Sequence, residues 1–189
     1  MEIVRKYLVN RSTSAILPEY DRQGRLCSQV IEGQKNFLVM VPPRKLLNEC
    51  LEYYGDSMIG AVRGTRAILG NIRMAPIIIH ADNELYWFPT LSPQKNSCIW
   101  LTPAHIIDFI YISENRTKVI LTEGNSVTID MTIGRLKRKR QITYTLKSQV
   151  EERKNRNVFY SIGPDEGLQL IKDPKGVNYV HSGKKIIKK

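Results

Sequence analysis

Apolar and β-branched runs broken by polar turns dominate the first forty residues. Three of them predict strands, Val4–Val9, Leu26–Ile31 and Asn36–Val41, with Gly24 and Gly33 as turn signals. Pro42 and Pro43 then open a stretch with a different period. Leu46, Leu47, Cys50, Leu51 and Tyr54 recur at helical spacing, so a helix is predicted over Arg44–Tyr54, with Gly55 where a cap belongs. Ser57–Leu69 predicts a second helix, although Gly60 and Gly64 each weaken it by ~1 kcal/mol relative to alanine. Glycines there also permit close backbone approach.

The middle of the chain is its apolar heart. Ile77–His80 and Leu85–Phe88 flank a hairpin turn of Ala81, Asp82 and Asn83, and Ser97–Leu101 adds a short strand after the loop FPTLSP. The runs His105–Ser113, Thr117–Thr122 and Val127–Met131, joined by Glu114-Asn115 and Gly124-Asn125, predict a β-meander. Next, Ile133–Asn155 places Leu136, Leu146 and Val150 on one helical face with Arg135, Lys137, Arg138 and Arg140 around the rest; the cluster Ile142, Thr143, Tyr144 and Thr145 leaves a strand as the alternative. Beyond Asn157 the segments SIGPDEG, KDPKG and HSGKK break any regular element, and Lys184–Lys189 is expected to be a mobile basic tail. The expected fold class is α+β, with mixed β-sheet units, a β-meander and a basic C-terminal helix. One domain is expected over 1–156, with a sub-boundary near 101–104, followed by a basic tail over 157–189.

Charge changes this picture more than composition does. Up to Gly134 there are 14 Lys plus Arg against 13 Asp plus Glu, and from Arg135 onward 15 against 5, so nearly all of the net +11 is C-terminal. Such asymmetry calls for an anionic partner: nucleic acid, a membrane surface or an acidic protein. A solvated face or idle tail is the plainer reading. No stretch approaches the ~20 apolar residues of a membrane span, and MEIVRKYLVNRSTS lacks the apolar block of a secretory signal, so a cytoplasmic protein with no membrane partner is expected. Cys27, Cys50 and Cys98 are far apart, with no metal-ligand or disulfide spacing; reduced, buried thiols are expected.

Nothing in the chain points to an enzyme. His80, His105 and His181 occur singly, without HExxH, nucleophile elbow or P-loop, and His80 and His105 read as structural histidines at strand borders. No cofactor or metal is expected. Cys98 beside Trp100 reads as core rather than as a nucleophile.

Two basic sets could meet a nucleic acid. Arg135, Lys137, Arg138, Lys139 and Arg140, extended by Lys147, Arg153 and Lys154, could neutralise several phosphates. Arg63, Arg66 and Arg73 form a sparser set after Tyr53-Tyr54, and arginines on a loop beside glycines suit entry into a narrow minor groove. Ordinary surface charge is the alternative for both. The sequence carries no helix-turn-helix, zinc-finger or RNA-binding aromatic signature.

Several motifs in a fixed order add a resemblance. Ala15-Ile16-Leu17-Pro18, Cys27-Ser28-Gln29-Val30-Ile31-Glu32 and Tyr53-Tyr54-Gly55-Asp56-Ser57 with Gly60 and Gly64-Thr65 come first. Pro76-Ile77-Ile78-Ile79, Phe88-Pro89-Thr90-Leu91-Ser92-Pro93, Cys98-Ile99-Trp100 and His105-Ile106 follow. From about Ala15 to Arg153 the chain resembles the ComK family of competence regulators. The resemblance implies a transcriptional activator that recognises paired A·T-rich boxes in double-stranded DNA, largely through the minor groove, as a homo-oligomer working with RNA polymerase. It also implies a C-terminal site for a protease adaptor, for which Val158, Phe159 and Tyr160 are a loose match.

The chain departs from the family pattern in places. Ala61 stands where the family has an arginine after the glycine matching Gly60, and Arg63 is offered instead. Ile142 stands where an arginine precedes the threonine matching Thr143, and the chain diverges from about Gly163. Two rivals remain: an RNA-binding regulator stacking bases on Tyr53, Tyr54 or Trp87, and a protein-interaction scaffold with a basic tail.

Overall fold

The computed structural model describes residues 2–156 together with two short strands, 170–172 and 179–181. The chain divides into two compact units, Met1–Lys154 and Asn155–Lys189. In the second, β11 (Leu170–Lys172) and β12 (Tyr179–His181) pair antiparallel. The expected tail at Lys184–Lys189 and the adaptor residues Val158, Phe159 and Tyr160 lie outside the described residues.

The first unit opens with β1 (Glu2–Val4), β2 (Thr13–Tyr20), β3 (Leu26–Glu32) and β4 (Lys35–Val39). Helices α1 (Pro43–Tyr53) and α2 (Met58–Leu69) follow, then β5 (Ile77–His80), β6 (Leu85–Pro89) and β7 (Trp100–Leu101). These strands make one seven-stranded sheet in the order β1-β4-β3-β2-β7-β6-β5. Within it only β1 pairs parallel, with β4. The meander β8 (Ile106–Ser113), β9 (Arg116–Leu121) and β10 (Ser126–Ile129) forms a second sheet, and α3 (Ile133–Arg156) ends the unit.

Side-chain alternation explains how the layers stack. Ile16, Val30, Phe37, Trp87 and Trp100 point from one face of the large sheet into a core closed by Leu46, Leu47, Cys50 and Leu51 of α1 and by Met58 and Ala61 of α2. Ala15, Ile31, Phe88 and Leu101 point the other way, against Phe109, Val119, Leu121, Val127 and Ile129 of the meander and Leu136 of α3. The sheet is therefore buried on both faces, and each fully buried Leu or Phe contributes about 1.5–3 kcal/mol to holding it. Period 2 in the strands and period 3.6 in α1 thus select the same partners.

Three expectations need correction. Strand β1 stops at Val4 rather than Val9, because Tyr7 and Asn10 leave the sheet to bond Thr13 and Glu32. Strand β2 is absent from the sequence reading. Pro18 argues against a strand there, yet β7 pairs only with Ala15 and Ile16, so Pro18 sits where one edge of β2 is open and a missing N–H is tolerated. The strand expected over Ser97–Leu101 shrinks to Trp100–Leu101, since the Cys98 N–H turns back to the Lys95 carbonyl. The helix expected after Gly134 is present, and of the two readings left open for Ile142–Thr145 the helical one holds. The Thr143 and Thr145 hydroxyls donate to the carbonyls of Lys139 and Gln141, one turn back, which reconciles these β-branched residues with a helix.

Candidate nucleic-acid interface

Helix α2 is entered through a short turn from α1. The Ser57 hydroxyl caps it by accepting the Gly60 N–H at 3.2 Å, and Asn48 of α1 reaches across to accept the Met58 N–H at 2.9 Å. Gly55 takes φ 81° in the turn, a conformation open to glycine at no steric cost. Two helices joined by a four-residue turn have helix-turn-helix connectivity, which the sequence did not disclose. Arg63 and Arg66 consequently lie on the helix predicted over Ser57–Leu69, and the loop setting considered for these arginines does not hold. Ile59, Arg63, Arg66 and Ala67 are all exposed, at a spacing that puts them on one face. A side chain at Gly60 would meet the Asp56 carboxylate, whereas one at Gly64 would meet open space. Gly64 therefore leaves the surface beside Arg63 low.

Helix α3 divides its cations by direction. Arg135, Lys137 and Arg138 are exposed, and none of them forms an ion pair among the described residues. Lys139 and Arg140 turn inward. The Lys139 ammonium lies 3.9 Å from the Met74 sulfur, and burial, with the nearby Arg135 charge, holds its pKa below the usual lysine value despite the opposing pull of Cys98. The Arg140 guanidinium sits over Phe109 and Tyr144, 6.0 and 5.5 Å from the ring centroids, and its Nε is buried with no hydrogen-bond partner among the described residues. Its task is to fasten α3 onto β8. The Tyr144 hydroxyl extends that fastening by donating to the Pro103 carbonyl at 3.0 Å.

Farther along α3 the cations are engaged with acids. Lys147 pairs with Glu84 at 3.1 Å and Glu151 at 3.7 Å, and Lys154 pairs with Asp82. The hairpin turn between β5 and β6 supplies Asp82 and Glu84, so these contacts tie the helix to the sheet. Arg153 remains exposed.

The segment between α2 and β5 joins the two basic sets. The Arg66 Nε donates to the Ile72 carbonyl at 3.4 Å, Arg73 follows, and Met74 then touches Lys139. Met74 holds φ 50°, a left-handed conformation uncommon outside glycine. Helices α2 and α3, which carry the two basic sets, are thereby linked through one short segment. Lys147, Arg153 and Lys154 lie farther along α3, about 14 to 24 Å from Arg138 at ~1.5 Å per residue.

The remaining candidates resolve by burial. Cys27, Cys50 and Cys98 are free and buried, and burial pushes all three thiols up in pKa, away from nucleophilic use. His80 Nδ1 accepts the Asn83 N–H, while His105 bridges the Thr122 hydroxyl and the Arg11 carbonyl; both are structural, as expected. Trp87 is fully buried and offers no platform for a base, Tyr54 is half-buried against His80, and Tyr53 is exposed. Among the described residues no helix is long and apolar enough to cross a membrane, and no group of three or more His, Cys, Asp or Glu could hold a metal.

A relative, the "Competence transcription factor" of Bacillus subtilis (strain 168), is 26% identical over 172 residues, covering 88% of this chain and 89% of that protein. No solved structure matches. The family model described as "ComK protein" matches residues 4–155, from the first strand of the large sheet to the last turn of α3, and the chain belongs to the ComK family.

Proposed function

We propose that this protein is a competence transcription factor that binds A·T-rich double-stranded DNA as an oligomer and activates transcription, with RNA polymerase as a further partner. What supports the reading most is the set of exposed cations Arg63, Arg66, Arg73, Arg135, Lys137 and Arg138, none in an ion pair among the described residues, on two helices joined through one segment in a chain of net charge +11. Each phosphate neutralised releases counterions, so such a set gives affinity for any duplex and a steep salt dependence. Preference for A·T needs a further element. Arg63 beside the low surface at Gly64 supplies one, because narrow A·T-rich minor grooves concentrate negative potential that an inserted guanidinium reads as shape.

A second reading is favoured by one observation. Helix α2 follows a four-residue turn after α1 and exposes Ile59, Arg63 and Arg66, an arrangement that suits a helix laid in the major groove. Binding of the full chain to A·T-box duplex, G·C-rich duplex and single-stranded RNA at one salt concentration tests the function itself. The proposal expects that order of affinity. Tightest binding to single-stranded RNA would replace it with an RNA-binding function, for which the exposed aromatics among the described residues, Tyr20, Tyr53 and Tyr111, are sparse.

A further inference from the structure

Strand β8 is an edge of the meander sheet: β9 covers one side, and no strand among the described residues covers the other. Its sequence is IIDFIYIS. Open edges are usually blunted by lysine, proline or shortness, and this one is eight residues long with neither residue type. Asp108 is its one charge, and that carboxylate is occupied in accepting the neighbouring Phe109 N–H at 2.7 Å. Ile107, Ile110, Tyr111 and Ile112 are 60, 45, 66 and 49% exposed, which places four of the eleven large exposed hydrophobics of the described residues on a single strand. The opposite edge of the same sheet, β10, exposes Ser126 and Thr128 instead. An apolar cluster on an open edge costs solubility unless something covers it.

We propose that β8 pairs antiparallel with β8 of a second copy, about a two-fold axis at Ile110, making one continuous six-stranded sheet. The sequence is self-complementary in that register. Ile110 meets Ile110, Phe109 meets Tyr111 on both sides of the axis, and Asp108 meets Ile112, so aromatic pairs form and no like charges oppose one another. Register irregularities between Ile106 and Asp108 and between Tyr111 and Ser113 bracket this central run and confine the regular pairing to it. The four half-exposed side chains of each copy form the apolar centre of the contact, and the open backbone of the strand adds a ladder of hydrogen bonds between copies. Nucleic acid does not fit this edge, which carries no cation. Charge also marks the contact, because two chains of +11 repel at long range, so an apolar edge contact tightens as salt rises.

The inference deepens the oligomer of the proposed function by naming its contact, and it is tested without DNA, so its failure leaves the DNA reading standing. Sedimentation velocity of the full chain is expected to show a concentration-dependent dimer that is as strong or stronger at high salt. Ile110→Glu keeps an intrachain partner in Lys118, its cross-strand neighbour, while setting Glu against Glu at the axis, and is expected to sediment as a monomer with an unchanged circular dichroism spectrum. Ile107→Glu serves in its place if that spectrum changes. Ile110→Cys is expected to form a reducible covalent dimer under mild copper–phenanthroline oxidation, since the native thiols are buried. A wild-type chain that stays monomeric overturns the proposal, as does a dimer that survives Ile110→Glu without cross-linking through Ile110→Cys. Protection of β8 amides from hydrogen exchange in a monomer, lost on deleting 157–189, overturns it too and assigns the edge to the chain's own C-terminal segment.

Discussion

The Lys139 ammonium and the Met74 sulfur lie 3.9 Å apart, and this contact joins the segment after α2 to the first turns of α3. It does so at an electrostatic cost, because Lys139 is half-buried and its pKa is held down by desolvation. A lysine with a depressed folded pKa sheds its proton on the folded side first, so stability rises with pH between that depressed value and the unfolded value near 10.5. Lys139→Met removes the charge and keeps the packing. The variant is expected to be at least as stable as wild type at pH 7, with wild type gaining on it as pH approaches 10. Urea unfolding of both proteins at the two pH values measures this, and a gap independent of pH contradicts it.

Arg138 and Arg140 sit two residues apart and are expected to behave differently. Arg138 is exposed and forms no ion pair among the described residues, so Arg138→Ala should leave the melting temperature unchanged and weaken binding to all duplexes, lowering the slope of log affinity against log salt by about 0.9 if one phosphate contact is lost. Arg140 is packed over Phe109 and Tyr144, so Arg140→Ala should cost about 1–2 kcal/mol of folding stability. Thermal melts and salt-dependent titrations on the single mutants separate the two roles. A stable Arg140→Ala protein with a reduced salt slope contradicts the assignment.

Lys154 and Lys147 are expected to contribute little to DNA binding despite their charge. Their partners Asp82, Glu84 and Glu151 already neutralise them. Lys154→Ala should therefore leave the salt slope within error of wild type, whereas Asp82→Asn frees the ammonium and should raise affinity for any duplex slightly. Titrations at two salt concentrations check both, and a loss with Lys154→Ala equal to that with Arg138→Ala contradicts the division of α3.

Much of this architecture is readable from the chain. The helical spacing of Leu46, Leu47, Cys50 and Leu51, the alternation in β3 and the turns at Gly33 and Gly124 all found their elements. Pro18 concealed β2, because a proline's tolerance depends on which edge of the strand is paired, and pairing is a tertiary fact. The basic run after Gly134 disclosed charge but not direction. Which of Lys137, Arg138, Lys139 and Arg140 face water follows from where Leu136, Thr143 and Leu146 pack. The helices on either side of Gly55 were legible although Gly60 and Gly64 depress the helical signal of α2, and the cap from Ser57 and the reach of Asn48 offset that weakness in the fold.

Groove choice is the central claim, and base-pair substitution tests it most directly. Replacing A·T with I·C pairs preserves the minor-groove surface and alters the major-groove one, so a minor-groove reader should bind the substituted box nearly as well as the original. Arg63→Ala should at the same time reduce the preference for A·T boxes over G·C-rich duplex, while Arg138→Ala lowers affinity for both. Equilibrium titration of the full chain on the three duplexes gives the answer. The account expects near-equal affinity for A·T and I·C boxes, with discrimination lost in Arg63→Ala; abolished binding to the I·C box would contradict it and place α2 in the major groove.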